Sequence, residues 1–123
     1  MTLSEAIRLG AMLHPQCFEW LEGKDHGGVT VETCALGAAK VAGYPIRDLD
    51  RWSQAAVITC PACGISWWGG LGRCLYGAIE HLNDVHRWTR EAIADFVATV
   101  EPPEAADAVA GAVVMTLEPT IRA

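Results

Sequence analysis

Residues 59–97 read TCPACGISWWGGLGRCLYGAIEHLNDVHRWTREAIADFV, and the order of elements within them decides the fold. Cys60 and Cys63 form a Cys-Pro-Ala-Cys-Gly knuckle. Seventeen residues separate Cys63 from His81, and four more separate His81 from His86. The spacing C-x2-C-x17-H-x4-H is close to the Cys2His2 pattern of a structural zinc site. Val57-Ile58-Thr59 reads as a short strand entering the knuckle and Ile65-Ser66-Trp67-Trp68 as one leaving it, with Gly64 free to take the positive φ that such turns need. Cys74 to Asp84 then reads as a helix with Leu75, Ile79 and Leu82 as its apolar stripe, so that it returns the two histidines to the knuckle.

Two thiolates and two imidazoles suit Zn2+ over Mg2+ or Ca2+, and four protein ligands leave no position for an activated water. The expected ligands are Cys60, Cys63, His81 and His86, around a structural zinc in a substructure spanning 57–88. Cys74 is a competing ligand, but it lies seven residues before His81. That is about 10 Å along a regular helix, too far for both to bind one ion. Trp67, Trp68 and Trp88 are expected to shield the metal and build core. Asn83 is expected to end the helix, and Asp84 either to orient a ligand histidine, as carboxylates do around zinc, or to cap the turn.

Working outward, Thr89 is a good N-cap with Glu91 in the first turn, and Ile93, Phe96, Val97 and Val100 carry a helix to about Val100. Glu101-Pro102-Pro103-Glu104 breaks it, and an alanine- and valine-rich helix is expected over about 104–117. On the N-terminal side, Thr2-Leu3-Ser4-Glu5 has capping-box spacing and opens a helix over about 3–14, stopped by Pro15. Residues 16–33 are less regular. Asp25-His26-Gly27-Gly28 is turn chemistry, and Val29 to Thr33 alternates as a strand, giving a hairpin or a loop with one strand. A second helix opens at Thr33-Cys34 and ends at Gly43; its small residues (Ala35, Gly37, Ala38, Ala39, Ala42) allow another helix to approach closely. Cys34 at that helix start is either a buried structural thiol or a nucleophile without an evident base. Residues 45–56 read as a polar connection with a helical turn around Ile46 to Trp52, and Gly69, Gly70 and Gly72 as a flexible link.

The chain has 123 residues, 51% of them hydrophobic and 20% charged. It is therefore read as one globular domain, long enough for a core that does not depend wholly on metal. The expected class is mainly α (α+β): four to five helices with an inserted zinc-knuckle β-hairpin. The net charge of −6 disfavours a nucleic-acid partner, which calls for a basic face. Within 57–100, Arg73, Arg87 and Arg90 are outnumbered by Glu80, Asp84, Glu91 and Asp95. The first fifteen residues read as an amphipathic helix and not as a signal peptide, and no apolar run matches a membrane span. An odd cysteine count with one C-x-x-C pair fits metal-held thiolates in a reducing cytoplasm.

The segments CALGAA at 34–39 and IEHLNDVHRWTREAIADFV at 79–97, with the opening TLSEAIRLGAM, resemble an uncharacterised family of small bacterial, phage and prophage proteins. Its members often carry a C-P-x-C-G knuckle before an HLNDxHxWTRExIADxV block. The resemblance covers roughly two-thirds of the chain and leaves out 101–123. It implies a compact, mainly helical domain of no assigned activity, with Cys60, Cys63, His81 and His86 as ligands and no catalytic residue. The sequence thus leads to a zinc-stabilised protein-interaction or accessory module without activity of its own. Two alternatives stand beside it: a nucleic-acid-binding zinc-finger regulator using Arg73, Arg87 and Arg90, and a metalloenzyme whose zinc keeps an open position.

Overall fold

The computed structural model describes residues 1–49, 57–68 and 74–101. Over these the chain is mainly helical, with two separate antiparallel hairpins. Helix α1 (Leu3–Ala11) is followed by strands β1 (Glu22–Lys24) and β2 (Thr30–Thr33) and by helix α2 (Ala35–Val41). After a 3-10 turn at Ile46–Asp48 come strands β3 (Val57–Thr59) and β4 (Ser66–Trp68), then helices α3 (Cys74–Asp84) and α4 (Arg90–Val100). The helix expected over 104–117 and the glycine link at 69–72 lie outside the described residues.

Helix α1 begins where its capping box predicts. Thr2 Oγ1 accepts from the Glu5 N–H, and the Glu5 carboxylate accepts from the Thr2 N–H. The Glu101 carboxylate, arriving from the end of α4, accepts from both the backbone N–H and the hydroxyl of Ser4. Two orphan donors of α1 are thereby satisfied from opposite ends of the sequence. The helix stops three residues short of the expected His14. Pro15 disfavours helical backbone at the residue before it, and Met12 and Leu13 are exposed, so no burial offsets that cost.

Leu3, Ala6, Ile7 and Gly10 form the buried stripe of α1, which packs on α2 and α4. The close approach to α2 expected from its small residues is made at Gly10. A Cβ there would lie 1.8 Å from the Ala38 carbonyl oxygen, so only glycine fits. Leu36, Leu49, Leu75, Ile79, Leu82, Ile93 and Val97 complete a single buried cluster. Each such aliphatic side chain contributes about 1.5–3 kcal/mol by leaving water.

The first hairpin pairs Glu22 with Thr33 and Gly23 with Glu32, and a bulge follows before Lys24. Asp25 closes its turn by accepting from the N–H groups of Gly27 and Val29. The sequence left open whether this segment is a hairpin or a lone strand; the Asp25 turn makes it a hairpin. Cys17 donates its N–H to the Thr33 carbonyl, so residues 15–17 run beside β2 and lead into the 17–21 turn.

Candidate metal centre

The second hairpin presents the knuckle to α3. Ile58 and Trp67 are paired across the strands, and both face the core, while Val57 and Thr59 face out. Beyond Thr59 the chain turns on itself: the Cys60 N–H donates to the Ile65 carbonyl at 2.7 Å and the Gly64 N–H to the Cys60 carbonyl at 3.0 Å. Gly64 takes φ +83°, as expected of the residue after the second cysteine. The Ala62 N–H reaches Cys60 Sγ at 3.4 Å.

Helix α3 packs against both strands of the hairpin and sets His81 in its last turn. The chain then folds back through a turn in which the His81 carbonyl accepts from both Val85 and His86. Arg87 completes that turn in the left-handed region at φ +55°, with its guanidinium over the Phe18 ring at 4.2 Å. The result is convergence. His81 Nε2 lies 3.4 Å from Cys63 Sγ and 3.0 Å from His86 Nε2. One ligand atom each from Cys60, Cys63, His81 and His86 lie within 4.8 Å of one another, a group that could hold a metal ion.

A geometric test of fit is available. With metal–sulfur bonds of about 2.3 Å and metal–nitrogen bonds of about 2.0–2.1 Å, donors at neighbouring tetrahedral vertices sit about 3.3–3.8 Å apart. The 3.4 Å between Cys63 Sγ and His81 Nε2 falls in this range, and the 3.0 Å between the two histidine nitrogens lies just under it. Cys60 is buried, His81 and His86 are partly buried, and Cys63 is exposed. Burial, and after it the neighbouring His86, hold the His81 imidazole below its usual pKa, the direction that favours metal binding.

Other residues singled out in the sequence stand elsewhere. Cys74 is buried in the core and His14 and His26 lie outside the cluster. Trp67 fulfils its expected role, packing edge-on against the His81 ring at 5.2 Å between centroids. Trp88 is a partly buried core neighbour whose carbonyl accepts from Gln16; the side chain of Trp68 lies outside the described residues. Cys34 is a structural thiol. It caps α2 by accepting from the Gly37 N–H at 3.3 Å, and burial pushes its thiol pKa up to about 11, so it is no ready nucleophile.

Three expectations are corrected. Asp84 orients neither histidine: its Oδ1 accepts from the Glu19 N–H and from Asn83 Nδ2, pinning the 17–21 turn where Glu19 adopts φ +72°. Asn83 does more than end a helix. It is 1% exposed, and all four of its hydrogen-bonding positions are used. Its Oδ1 accepts from Gln16 Nε2 and the Ala35 N–H; its Nδ2 donates to the Cys17 carbonyl and to Asp84. Arg90, one of the three arginines of the nucleic-acid alternative, is buried. It donates to the Thr33 hydroxyl at 2.9 Å and to the Ala11 carbonyl at the end of α1 at 3.3 Å, so it is withdrawn from any such face. Arg73 lies outside the described residues. Gln16 and Thr33 were missed altogether: a polar residue in an irregular stretch and a threonine ending a strand carry no signal of burial.

No family model matches the chain, and neither a curated protein nor a solved structure matches it. Among the described residues no helix is long and apolar enough to cross a membrane.

Proposed function

We propose that Cys60, Cys63, His81 and His86 bind one Zn2+ as a closed structural site, and that the protein is a zinc-stabilised module that binds another protein and catalyses no reaction itself. The observation that carries the first half is the convergence of two sulfurs and two imidazole nitrogens within 4.8 Å. Sulfur ligands favour zinc over the hard cations, and a tetrahedral set of four protein ligands leaves no place for a reacting water. The binding half rests on the acidic balance of the chain and on the burial of Arg90, one of the three arginines a nucleic-acid face would use.

Zinc here fastens the β3–β4 knuckle to the end of α3. Helices α1, α2 and α4 also pack directly on one another through Leu3, Ile7, Leu36, Ile93 and Val97. Zinc content per chain tests the reading, on protein purified without a metal-binding tag and on Cys63→Ser and His86→Ala. The expected result is one zinc per chain, lost in both variants. Zinc kept by His86→Ala and lost by Cys63→Ser points instead to an open, three-ligand site and the metalloenzyme reading. A native chain that takes up no zinc defeats the proposal.

A further inference from the structure

Of the five cysteines, four are buried: Cys17, Cys34, Cys60 and Cys74 are 1–6% exposed. Cys63 alone is exposed, and it belongs to a group of ligand atoms that places the Cys60 sulfur within 4.8 Å. The two knuckle sulfurs also differ in their surroundings. Cys60 Sγ is shielded and accepts an N–H from Ala62. Cys63 Sγ is exposed to solvent, with His81 Nε2 3.4 Å away. An oxidant from solvent therefore meets Cys63 first, and a resolving sulfur stands beside it.

We propose that Cys63 is an oxidation site at which a peroxide converts the Cys60–Cys63 pair to a disulfide and expels the zinc. The inference rests on the zinc reading above. The Cys63 thiolate attacks one oxygen of hydrogen peroxide; the O–O bond breaks, a sulfenic acid forms, and the departing hydroxide takes a proton to become water. The Cys60 thiolate then attacks Cys63 Sγ, the S–O bond breaks, and a second water leaves. Two sulfurs give up two electrons to one peroxide. A disulfide needs its sulfurs about 2.05 Å apart, which a knuckle of two intervening residues reaches by side-chain rotation and small backbone adjustment. Zinc left with His81 and His86 alone has lost both soft ligands and dissociates, freeing the hairpin from α3.

The test uses the full chain, reduced, loaded with zinc and cleared of excess metal, then treated with hydrogen peroxide while a chromogenic chelator reports released zinc. Zinc release should keep step with the loss of two of the five thiols. Peptide mapping should find Cys60 joined to Cys63, and dithiothreitol with added zinc should restore the starting state. A Cys63→His variant keeps four ligand atoms but lacks the reactive sulfur, and should release zinc about tenfold more slowly or not at all. Zinc retained while thiols disappear, a disulfide or sulfinic acid at other cysteines first, or native-rate release from Cys63→His overturns the inference. If Cys63→His takes up no zinc, release and mapping on the native chain decide. A native chain that cannot be loaded is seen before peroxide is added and overturns the zinc reading itself; one that loads and then resists peroxide overturns only the switch.

Discussion

The Nε2 atoms of His81 and His86 face each other across 3.0 Å. Two imidazole lone pairs repel at that distance unless a proton or a metal ion lies between them. Cys63 Sγ, 3.4 Å from the same His81 nitrogen, adds a third donor to the same point. A proton can join two of these atoms; a tetrahedral cation joins all four.

Cobalt makes this distinction visible. Loaded with Co2+ in place of zinc, the chain should show the intense visible bands of a tetrahedral ion with thiolate charge transfer. Cys60→Ser, Cys63→Ser and His81→Ala should each abolish the charge-transfer and visible bands together, because each variant loses the ion. Weak absorption of the octahedral kind would mean that the ligands do not close around the ion.

The Asn83 side chain should be among the costliest in the molecule to alter. Its amide joins α3 to the Ala35 N–H at the start of α2, to the Cys17 carbonyl, to Gln16 and to Asp84. Asn83→Ala leaves a buried donor and a buried carbonyl without partners, at about 2–4 kcal/mol. Asn83→Asp keeps the acceptor but places a second carboxylate against Asp84 and loses both donors, so at neutral pH it should destabilise at least as much. Denaturant unfolding of zinc-loaded protein measures both, and a loss within experimental error of zero for either would contradict the network.

The contact between Gly10 and Ala38 yields a sharper steric prediction. Gly10→Ala would ordinarily favour a helix by about 1 kcal/mol. Here the added carbon meets a backbone carbonyl oxygen at 1.8 Å, and a carbonyl held within α2 cannot step aside as a side-chain tip can. The variant should lose about 3 kcal/mol or more as α1 and α2 are forced apart. A raised thermal midpoint would show that the helices do not cross at this point.

Arg90 tests how a guanidinium lives in the interior. Burial pushes its pKa below the ordinary arginine value. Its partners are the Thr33 hydroxyl and carbonyl and the Ala11 carbonyl, where the negative end of α1 supports the charge. Lysine carries the charge but cannot fork between two elements. Arg90→Lys should cost about 1–2 kcal/mol by denaturant unfolding, and Arg90→Ala about 2–4 kcal/mol. Neither should change zinc content, because no metal ligand touches the guanidinium.

What the sequence made legible follows from how local each signal is. The C-x2-C turn, the helix that returns two histidines, the capping box at Thr2 and the N-cap at Thr89 are set by neighbours a few residues apart, and all four appear where expected. Apart from Asp84, the side-chain partners of Asn83, Arg90 and Glu101 lie 48 to 97 residues away along the chain. A polar or charged residue in an amphipathic helix reads as a solvated face until the fold supplies buried partners, which is why Arg90 was placed on a surface. Asp84 was drawn to the histidines by adjacency in sequence, yet α3 turns it toward the Glu19 N–H.

The pair Glu22 and Lys40 provides the pH test. Lys40 Nζ donates to the Glu22 carboxylate at 2.6 Å and the Thr30 hydroxyl donates at 2.7 Å, tying the first hairpin to α2. The lysine bond above all, then the threonine bond, holds the Glu22 pKa below its ordinary value. The unfolded chain therefore takes up the proton at higher pH than the folded one. The stabilisation is complete above about pH 4.3, the unfolded glutamate value, and is lost as the pH falls through the lower folded value. Acid also strips zinc from the knuckle, so the readout is the difference between the native chain and Glu22→Gln, both metal-free. That difference should be about 0.5–1 kcal/mol at neutral pH, consistent with a lysine that is half exposed, and should close in acid. A gap that persists below pH 3 would assign the effect to the shape of the side chain and not to its charge.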